Sequence, residues 1–320
     1  MLGFGLALAA ALAGIAVQHA SGIAALSPLM LAMIIGIAFA NTVGVGAMLK
    51  PGVKFALRRV LRFAIILLGF QMSLEQFALI GVSGLALVIG LLIATFVFIK
   101  LLGRVLGVGR ELTELIAAGT SICGASAVAA ANTVTRGSEE DVAYAIACVT
   151  IFGSLSMLLL PVIGSVLDLG ATQYGLWVGA SVHEVAQVTG AAFHAGPEAG
   201  QVGTLAKLIR VLLLAPVIFS LGYLAARGKR GGAGGAAAPM PWFVLGFVAT
   251  AAIAVIWPLP EQAMGITTTA TTFMLTVALA AMGLDTDIRK LCSKGVRPLA
   301  LGAAGWAFIS VVGLVLVGLI

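Results

Sequence analysis

The sequence predicts an all-α membrane protein with about eleven transmembrane helices. Hydrophobic residues make up 61% of its 320 positions and charged residues only 9%, whereas a soluble domain carries roughly 25% charged residues. Such a chain has too little polar surface to cover a water-soluble globule. Its apolar runs are continuous, unlike the alternating segments of about ten residues that form a membrane β-barrel.

The first half of the chain contains six predicted helices, and most of the loops between them carry charge. Met1–Val17 contains no Lys or Arg, so this stretch predicts a transmembrane helix in preference to a signal peptide. Loops follow at Lys50-Pro51, Glu75, Arg104–Arg110 and 136–141. The approximate helix bounds are 3–20, 26–43, 55–72, 78–102, 112–134 and 142–167.

The second half contains five further predicted helices, at about 172–194, 205–226, 241–257, 262–284 and 298–319. Pro258 and Pro260 break the chain after the third of these. Residues 228–240, rich in Gly and Ala, predict a flexible linker. We expect a single membrane domain over 1–320, made of an additional N-terminal helix (1–20), a first repeat (21–167) and a second repeat (172–320).

The net charge of +6 is a topology signal, because Lys and Arg concentrate in cytoplasmic loops; it gives no reason to expect nucleic-acid binding. With the N-terminus inside, the cytoplasmic loops would contain Lys50, Lys54, Arg58, Arg59, Lys100, Arg104, Arg110, Arg227, Lys229, Arg230, Arg289, Lys290, Lys294 and Arg297. The opposite loops would contain Glu75, the cluster 136–141, Glu198 and Glu261. Lys207 and Arg210 do not fit this pattern. The sequence therefore predicts a cytoplasmic N-terminus and an outer C-terminus.

Two internal likenesses suggest repeated structure. At an offset of 214 residues, matches include Gly69 with Gly283, Gly81 with Gly295, and Leu85-Ala86-Leu87 with Leu299-Ala300-Leu301. Predicted helices 3 and 10 cross in opposite directions, as an inverted repeat requires.

The second likeness has an offset of 60 and pairs Gly119, Ser121 and Val128 with Gly179, Ser181 and Val188. Predicted helices 5 and 7 would cross in the same direction, which an inverted pair cannot do. Either the likeness is compositional or 172–194 is re-entrant. We favour a third pairing, between helix 5 and the Thr-rich start of helix 10, with helix 7 as a further element of the site.

His183 and Glu184 lie in the middle of predicted helix 7. A charged side chain at the bilayer centre costs at least roughly 2.5–3.5 kcal/mol, so it needs a function or a partner. Because His titrates near neutral pH, the pair predicts proton coupling or substrate binding. The alternative is a hydrogen-bonded pair that fixes helix packing. Gln187 is a secondary candidate.

The segment 119–126 is the other main candidate. If its helix breaks at Gly119 or Gly124, a half-helix N-terminus would lie inside the membrane, and such ends bind anions. The candidate ligand groups are Ser121, Cys123, Gly124 and Ser126. The alternative is close packing of small residues between helices.

Two weaker sets complete the candidates. Thr268, Thr271 and Thr272 could line the site or bond back to their own helix. Arg62 and Arg210 could attract an anion or extend to the interface. There is no Walker loop, catalytic triad or metal-ligand spacing, so we expect neither an enzyme nor a metal or cofactor, apart from H⁺ or Na⁺ as a coupling ion.

Four stretches resemble the bacterial YeiH family, to which sulfate export is ascribed. They are Gly119–Val128 (GTSICGASAV), Ser181–Val188 (SVHEVAQV), Lys207–Pro216 (KLIRVLLLAP) and Ala280–Leu284 (AAMGL). The resemblance covers nearly the whole chain and implies an inner-membrane protein with a fold similar to bile-acid symporters and sodium/proton antiporters. That fold has two inverted five-helix repeats and broken helices that cross at the midplane. The resemblance further implies an additional N-terminal helix, an elevator-like motion and a homodimer.

These features predict a secondary active transporter of sulfate or a related oxyanion or sulfonate, coupled to protons through His183 and Glu184. Export is one direction that such a transporter could take. The alternatives are a sodium-coupled organic-anion transporter that uses unwound carbonyls near 119–124, and an anion channel. The expected partners are the lipid bilayer, a small anionic substrate and a second copy of the chain, without nucleic acid.

Overall fold

The computed structural model describes residues 2–21, 28–71, 74–227, 242–257, 259–289 and 294–320. Within these ranges the chain is helical with short connections, and no strand occurs in them. The predicted linker 228–240 lies outside the described residues. The helices are α1 Leu2–Ser21, α2 Pro28–Thr42, α3 Lys50–Phe55, α4 Leu61–Gly69, α5 Leu74–Val105, α6 Arg110–Ala118, α7 Ala125–Thr135, α8 Glu139–Val166, α9 Ala171–Ser181, α10 Val185–Ala192, α11 Pro197–Leu212, α12 Leu214–Arg227, α13 Trp242–Ile256, α14 Glu261–Asp285 and α15 Val296–Val317.

Six helical segments in the described part of the chain are long and apolar enough to span a bilayer. They are Leu2–Ala20, Ile80–Val105, Glu139–Val166, Pro197–Tyr223, Glu261–Asp285 and Val296–Val317. Helices α3 and α4 join through a π-helical turn at Ala56–Val60, and α2 and α13 are shorter apolar helices. The prediction of a helical membrane protein is confirmed, whereas the count of eleven straight crossings is not.

Residues 110–135 form a helical hairpin, which we call hairpin 1, instead of one straight crossing. Helix α6 runs inward, a π-helical turn at Gly119–Cys123 ends it, and α7 returns. A Cβ on Gly137 would lie 3.1 Å from Cδ1 of Leu115. In a straight helix, these two residues would be about 33 Å apart. Both ends of the hairpin therefore lie at the same face of the protein.

Residues 171–192 form hairpin 2 in the same way. The hydroxyl of Tyr174, near the start of α9, donates a hydrogen bond to the carbonyl of Ala191, near the end of α10. This bond, of 3.0 Å, is possible only if α10 folds back along α9. The open alternative that 172–194 is re-entrant is the one that the structure contains.

The two hairpins enter from opposite faces because the long helix α8 lies between them. Hairpin 1 ends just before α8 begins, and hairpin 2 begins just after α8 ends. This arrangement corrects the predicted charge topology, which placed the cluster 136–141 and Lys294 on opposite faces. Lys294 Nζ lies 2.6 Å from Asp141 Oδ1. The cluster shares the Lys294 face because hairpin 1 returns without crossing.

The turns that lead into the two hairpins have the same geometry. Gly107 (φ 67°) and Asp168 (φ 50°) end the long helices α5 and α8 with left-handed backbone. Gly109 and Gly170 then start α6 and α9 in an extended conformation. Both pairs are 61 residues apart. A crossing helix followed by a re-entrant hairpin therefore occurs twice in tandem.

The spacing falls to 60 residues at the hairpin ends, where Gly124 and Glu184 precede α7 and α10. Hairpin 1 thus has one more residue in its first arm. Its π-helical turn at Gly119–Cys123 accounts for this difference, because an inserted residue widens an α-helix locally into a π turn.

The likeness at an offset of 214 also has structural counterparts. Gly81 (φ 56°, ψ −169°) and Gly295 (φ 82°, ψ −175°) share one backbone conformation, each just before a long apolar stretch. Gly69 of α4 packs against α13, and Gly283 of α14 packs against α2. Helices α2 and α13 each contain 15 residues.

Candidate functional site

The ends of the two hairpins meet inside the protein, and we call these ends the hairpin tips. Tip 1 is residues 119–124, and tip 2 is residues 179–184. Gly124 breaks the first hairpin with a backbone conformation that favours glycine (φ 68°, ψ −135°). Glu184 breaks the second in an extended conformation (φ −112°, ψ 150°). Each break leaves the carbonyl end of one half-helix and the amide end of the next without helical partners.

Lys207 of α11 joins the two tips. Its Nζ donates to the carbonyl of Ile122 at 2.7 Å and to the carbonyl of Val182 at 2.8 Å. Ile122 and Val182 are equivalent residues of the repeat, 60 positions apart. Lys207 is fully buried, so these bonds replace the hydration that a buried ammonium group needs.

Arg210, one turn further along α11, binds the same carbonyl ends. Its guanidinium donates to the carbonyls of Thr120 and Ser121 in tip 1 and of Gly179 and Val182 at tip 2, over 2.9–3.1 Å. Arg210 is also fully buried. Carbonyl ends of helices carry partial negative charge, so the two cations both satisfy and neutralise them. Lys207 and Arg210 together hold the tips against each other.

Glu184 lies at the opposite, amide ends of the half-helices. Its carboxylate accepts hydrogen bonds from the backbone N–H of Gln187 in α10 and of Ala125 in α7. Oε1 also accepts from the hydroxyl of Thr150 in α8, at 3.0 Å. A negative charge at a helix N-terminus is stabilising. Here one carboxylate serves two helices from two hairpins.

Gln187 connects tip 2 to α8. Its Oε1 accepts from the backbone N–H of Glu184 at 3.1 Å, and its Nε2 donates to the carbonyl of Thr150 at 2.9 Å. The amide rests on Gly153, where a Cβ would overlap it. The contacts of Gln187 therefore position Glu184.

His183 is only 1% exposed, and its Nδ1 has no hydrogen-bond partner among the described residues. Cys123 occupies the equivalent position in tip 1 and is also buried. By contrast, Ser126 in the first turn of α7 is exposed, and Glu184 is half-buried. The amide side of the tips is thus more accessible than the carbonyl side.

Most of the sequence-predicted candidates come together at the tips. They are Ser121, Cys123, Gly124, Ser126, His183, Glu184, Gln187 and Arg210. Ser121 takes part through its carbonyl, since its hydroxyl donates to Ala117 of its own helix. The favoured mirror pairing of helix 5 with the Thr run was wrong, because α14 continues unbroken from Glu261 to Asp285 and hairpin 2 is the partner of hairpin 1.

The remaining candidates show no contact with the tips. Thr268 and Thr272 are exposed. The hydroxyl of Thr271 donates back to the carbonyl of Thr267 and accepts from Gln71. The guanidinium of Arg62 lies 5.8 Å from the ring centroid of Phe243. The alternative of a hydrogen bond back to the residue's own helix thus describes Thr271.

Sequence reasoning missed Lys207 and Thr150 as members of the site. Lys207 was noticed only as an exception to the charge pattern. The available signal was its place within an apolar helix, one turn before a second cation, since buried charge in a membrane indicates function. Thr150 gave no such signal, because an isolated Thr is common in membrane helices.

Comparison with known proteins identifies the family. A family model described as conserved hypothetical protein 698 matches residues 2–302. The chain belongs to the UPF0324 family. A UPF0324 membrane protein of Pseudomonas aeruginosa is 37% identical over 325 residues, covering 95% of this chain and 90% of that protein. No solved structure matches the chain.

Two other UPF0324 relatives give the same result. The UPF0324 inner membrane protein YeiH of Escherichia coli K12 is 34% identical over 322 residues, which cover 97% of this chain and 91% of YeiH. A UPF0324 membrane protein of Bordetella bronchiseptica is 36% identical over 291 residues, with coverage of 88% and 90%. The resemblance to YeiH in the sequence motifs is thereby confirmed.

Proposed function

We propose that this UPF0324 protein is a secondary transporter that carries a small oxyanion or sulfonate across the inner membrane, and that the anion binds at the hairpin tips. The observation that carries the proposal is the meeting of two re-entrant hairpins around two buried cations. Irregular backbone and buried charge inside a membrane are typical of substrate pathways.

The charges at the tips favour an anion. Lys207 and Arg210 have two formal positive charges and Glu184 has one negative charge. The four half-helix ends each add about half a unit charge, two of them negative and two positive, so they cancel. The two tips with Lys207 and Arg210 therefore keep about one net positive charge, before Asp285 at the end of α14 is counted. A small anion would neutralise it, whereas a cation would add to it.

The same geometry argues against sodium at the unwound carbonyls. Carbonyl oxygens of Thr120, Ser121 and Ile122 would be the sodium ligands in tip 1, but all three already accept bonds from Lys207 or Arg210. The protein's own cations occupy the place that a bound sodium ion would take. Proton coupling is the alternative that this site favours.

Two groups of helices support an elevator-like motion. Helices α1, α2, α3 and α14 share an apolar cluster made mainly of small residues, including Ala11, Ala32 and Ala280. The hairpins belong to a larger cluster with α8, α11 and α15, which also includes Met33 of α2 and Leu279 of α14 where the two groups meet. We assign the first group to a static scaffold and the second to a mobile transport unit. At the offset of 214 residues, α2 matches α13, α4 matches α14, and Gly81 matches Gly295. These matches support an inverted repeat whose halves contribute helices to both groups.

The orientation follows from the corrected topology. The face that holds the turn between α5 and α6 also holds Arg104, Arg110, Lys294 and Arg297, and the opposite face holds Asp168 and Glu198. An excess of cations marks the cytoplasmic side. We therefore assign the N-terminus to the cytoplasm. The homodimer remains a prediction.

Solute counterflow in proteoliposomes tests the proposal. Vesicles loaded with unlabelled sulfate, or with methanesulfonate, should accumulate the labelled anion transiently above its equilibrium level, which a carrier produces and a channel does not. Arg210→Lys replaces the planar guanidinium by a single ammonium group, which cannot donate to both tips at once, so this variant should lose most of the uptake. Lys294→Ala is the control and should keep it. Absence of counterflow with every small oxyanion and sulfonate tested would contradict the proposal.

A further inference from the structure

Glu184 occupies the place where a substrate anion would bind most favourably. The amide ends of α7 and α10 meet there, and the carboxylate accepts from the backbone N–H groups of Ala125 and Gln187. Helix N-termini bind oxyanions through such N–H groups. A carboxylate resembles part of an oxyanion in charge and in acceptor geometry. The protein thus carries its own anion at the site.

The surroundings of Glu184 differ from those of a purely structural capping residue. Helix caps normally serve one helix, whereas this carboxylate connects two hairpins. Ser126, two residues after the tip 1 break, is exposed, so the amide side can be reached. The preceding residue, His183, is buried at the same tip with Nδ1 unpartnered among the described residues. This nitrogen is available to a ligand or to a proton.

The charged and titratable groups around the carboxylate come from four elements. Lys207 and Arg210 face the tips from α11, and Asp285, at the end of α14, repels the carboxylate electrostatically. His183 precedes Glu184 in tip 2, and Cys123 lies in tip 1. The cations bond to carbonyl oxygens, so they provide a constant positive field. Glu184 is the group in this set whose hydrogen bonds an incoming anion would take over.

We propose that Glu184 is a tethered competitor of the substrate, so that an oxyanion binds when Glu184 takes up a proton and releases the N–H groups of Ala125 and Gln187. The proton then moves with the anion in the same direction, in a ratio of one to one. Neutralising Glu184 raises the net charge of the tips to about +2, which matches a doubly charged oxyanion such as sulfate. This inference rests on the proposed function and names its coupling residue.

Binding of labelled sulfate to the purified full chain at pH 5.5, 6.5, 7.5 and 8.5 tests the inference. For the unmodified protein, the affinity should fall up to tenfold per pH unit over the range in which Glu184 loses its proton. Glu184→Gln is neutral at every pH, so it should bind sulfate at pH 8.5 at least as tightly as the unmodified protein does at pH 5.5. Glu198→Gln, the same substitution at an exposed carboxylate in the first turn of α11, is the matched control and should keep the pH dependence.

The outcomes separate the two proposals. If the unmodified protein binds neither sulfate nor methanesulfonate at any pH, the proposed function fails. If it binds with an affinity that does not change with pH, or if Glu184→Gln keeps the pH dependence, the role of Glu184 is overturned while the anion site stands. Should Glu184→Gln not fold, the proton-to-sulfate ratio of the unmodified protein decides, measured with a pH dye trapped in vesicles. A ratio of one supports the inference, and sulfate movement without protons overturns it.

Discussion

Hairpin 1 and hairpin 2 have the same construction but different chemistry at their tips. Both follow a long crossing helix, and both break at equivalent residues. In hairpin 1 the break is Gly124, which has no side chain, and in hairpin 2 it is Glu184, which has a charged one. A Cβ on Gly124 would collide with the side chain of Glu184. Tip 1 therefore leaves the space that the charged side chain of Glu184 in tip 2 occupies.

The difference shows how two similar halves can make an asymmetric site. The carbonyl ends of both tips are treated alike, because Lys207 and Arg210 bind them as a pair. The amide ends are not, since a single carboxylate serves both. Stability therefore comes from the symmetric side of the tips, and we expect ion coupling to come from the asymmetric side. Four experiments test these roles of the two tips, in decreasing order of expected effect.

The largest expected effect is all-or-none and concerns the hairpins themselves. In a background without Cys123, Cys148 and Cys292, single cysteines replace Arg104, Arg136, Asp168 or Glu198, and an impermeant maleimide is added to one side. Arg104→Cys and Arg136→Cys should label from one face, and Asp168→Cys and Glu198→Cys from the other. Straight crossings would instead pair position 104 with position 168.

Arg210→Leu should separate the tips. The substitution removes the five hydrogen bonds that the guanidinium donates to four buried carbonyls. The free energy of unfolding should fall by about 3–5 kcal/mol. We expect loss of monodisperse protein or a large fall in Tm in detergent. Arg62→Leu is the matched control, and it should cost about 1 kcal/mol or less. Equal Tm values for the two variants would contradict the role of Arg210.

Gly124→Ala tests the space at tip 1. The left-handed backbone costs an alanine about 1–3 kcal/mol, and the added methyl group displaces Glu184. The transport rate should fall by more than the loss of folded protein, judged from Tm, can explain. Gly90→Ala in α5, where a Cβ meets nothing within 4 Å, should leave both unchanged or raise Tm slightly. Full transport by Gly124→Ala would show that Glu184 does not need this contact.

The smallest effect is expected at the foot of hairpin 1. Lys294 bonds to Asp141, and this carboxylate raises the pKa of Lys294. A raised pKa stabilises the fold below the ordinary Lys value and loses its effect as pH rises through the folded value. Lys294→Ala should therefore cost about 0–1 kcal/mol, with no change in this cost between pH 6 and pH 9. A Tm difference that varies across this range would point to another titrating group.

Composition and motifs predicted the membrane class and most of the tip residues, but not the hairpins. Residues 110–135 are long enough to cross the bilayer, and hydropathy cannot tell a helix that returns from one that continues. The better signal was the 60-residue likeness of Gly119 and Ser121 to Gly179 and Ser181. If both segments crossed straight, they would run parallel, so this likeness alone does not reveal an inverted pair. The role of Lys207 was not predicted, because its carbonyl partners lie 25 and 85 residues away along the chain.

A crossing helix plus a re-entrant hairpin moves the chain across the membrane once. Any tandem copy of such a segment must therefore start on the other side and be built upside down. An inverted repeat needs an odd number of complete crossings, and one crossing is the smallest such number. Here about sixty codons are enough for mirrored halves. One duplication of this segment would account for both hairpins, and the difference at their breaks is then a difference of one residue, Gly124 against Glu184.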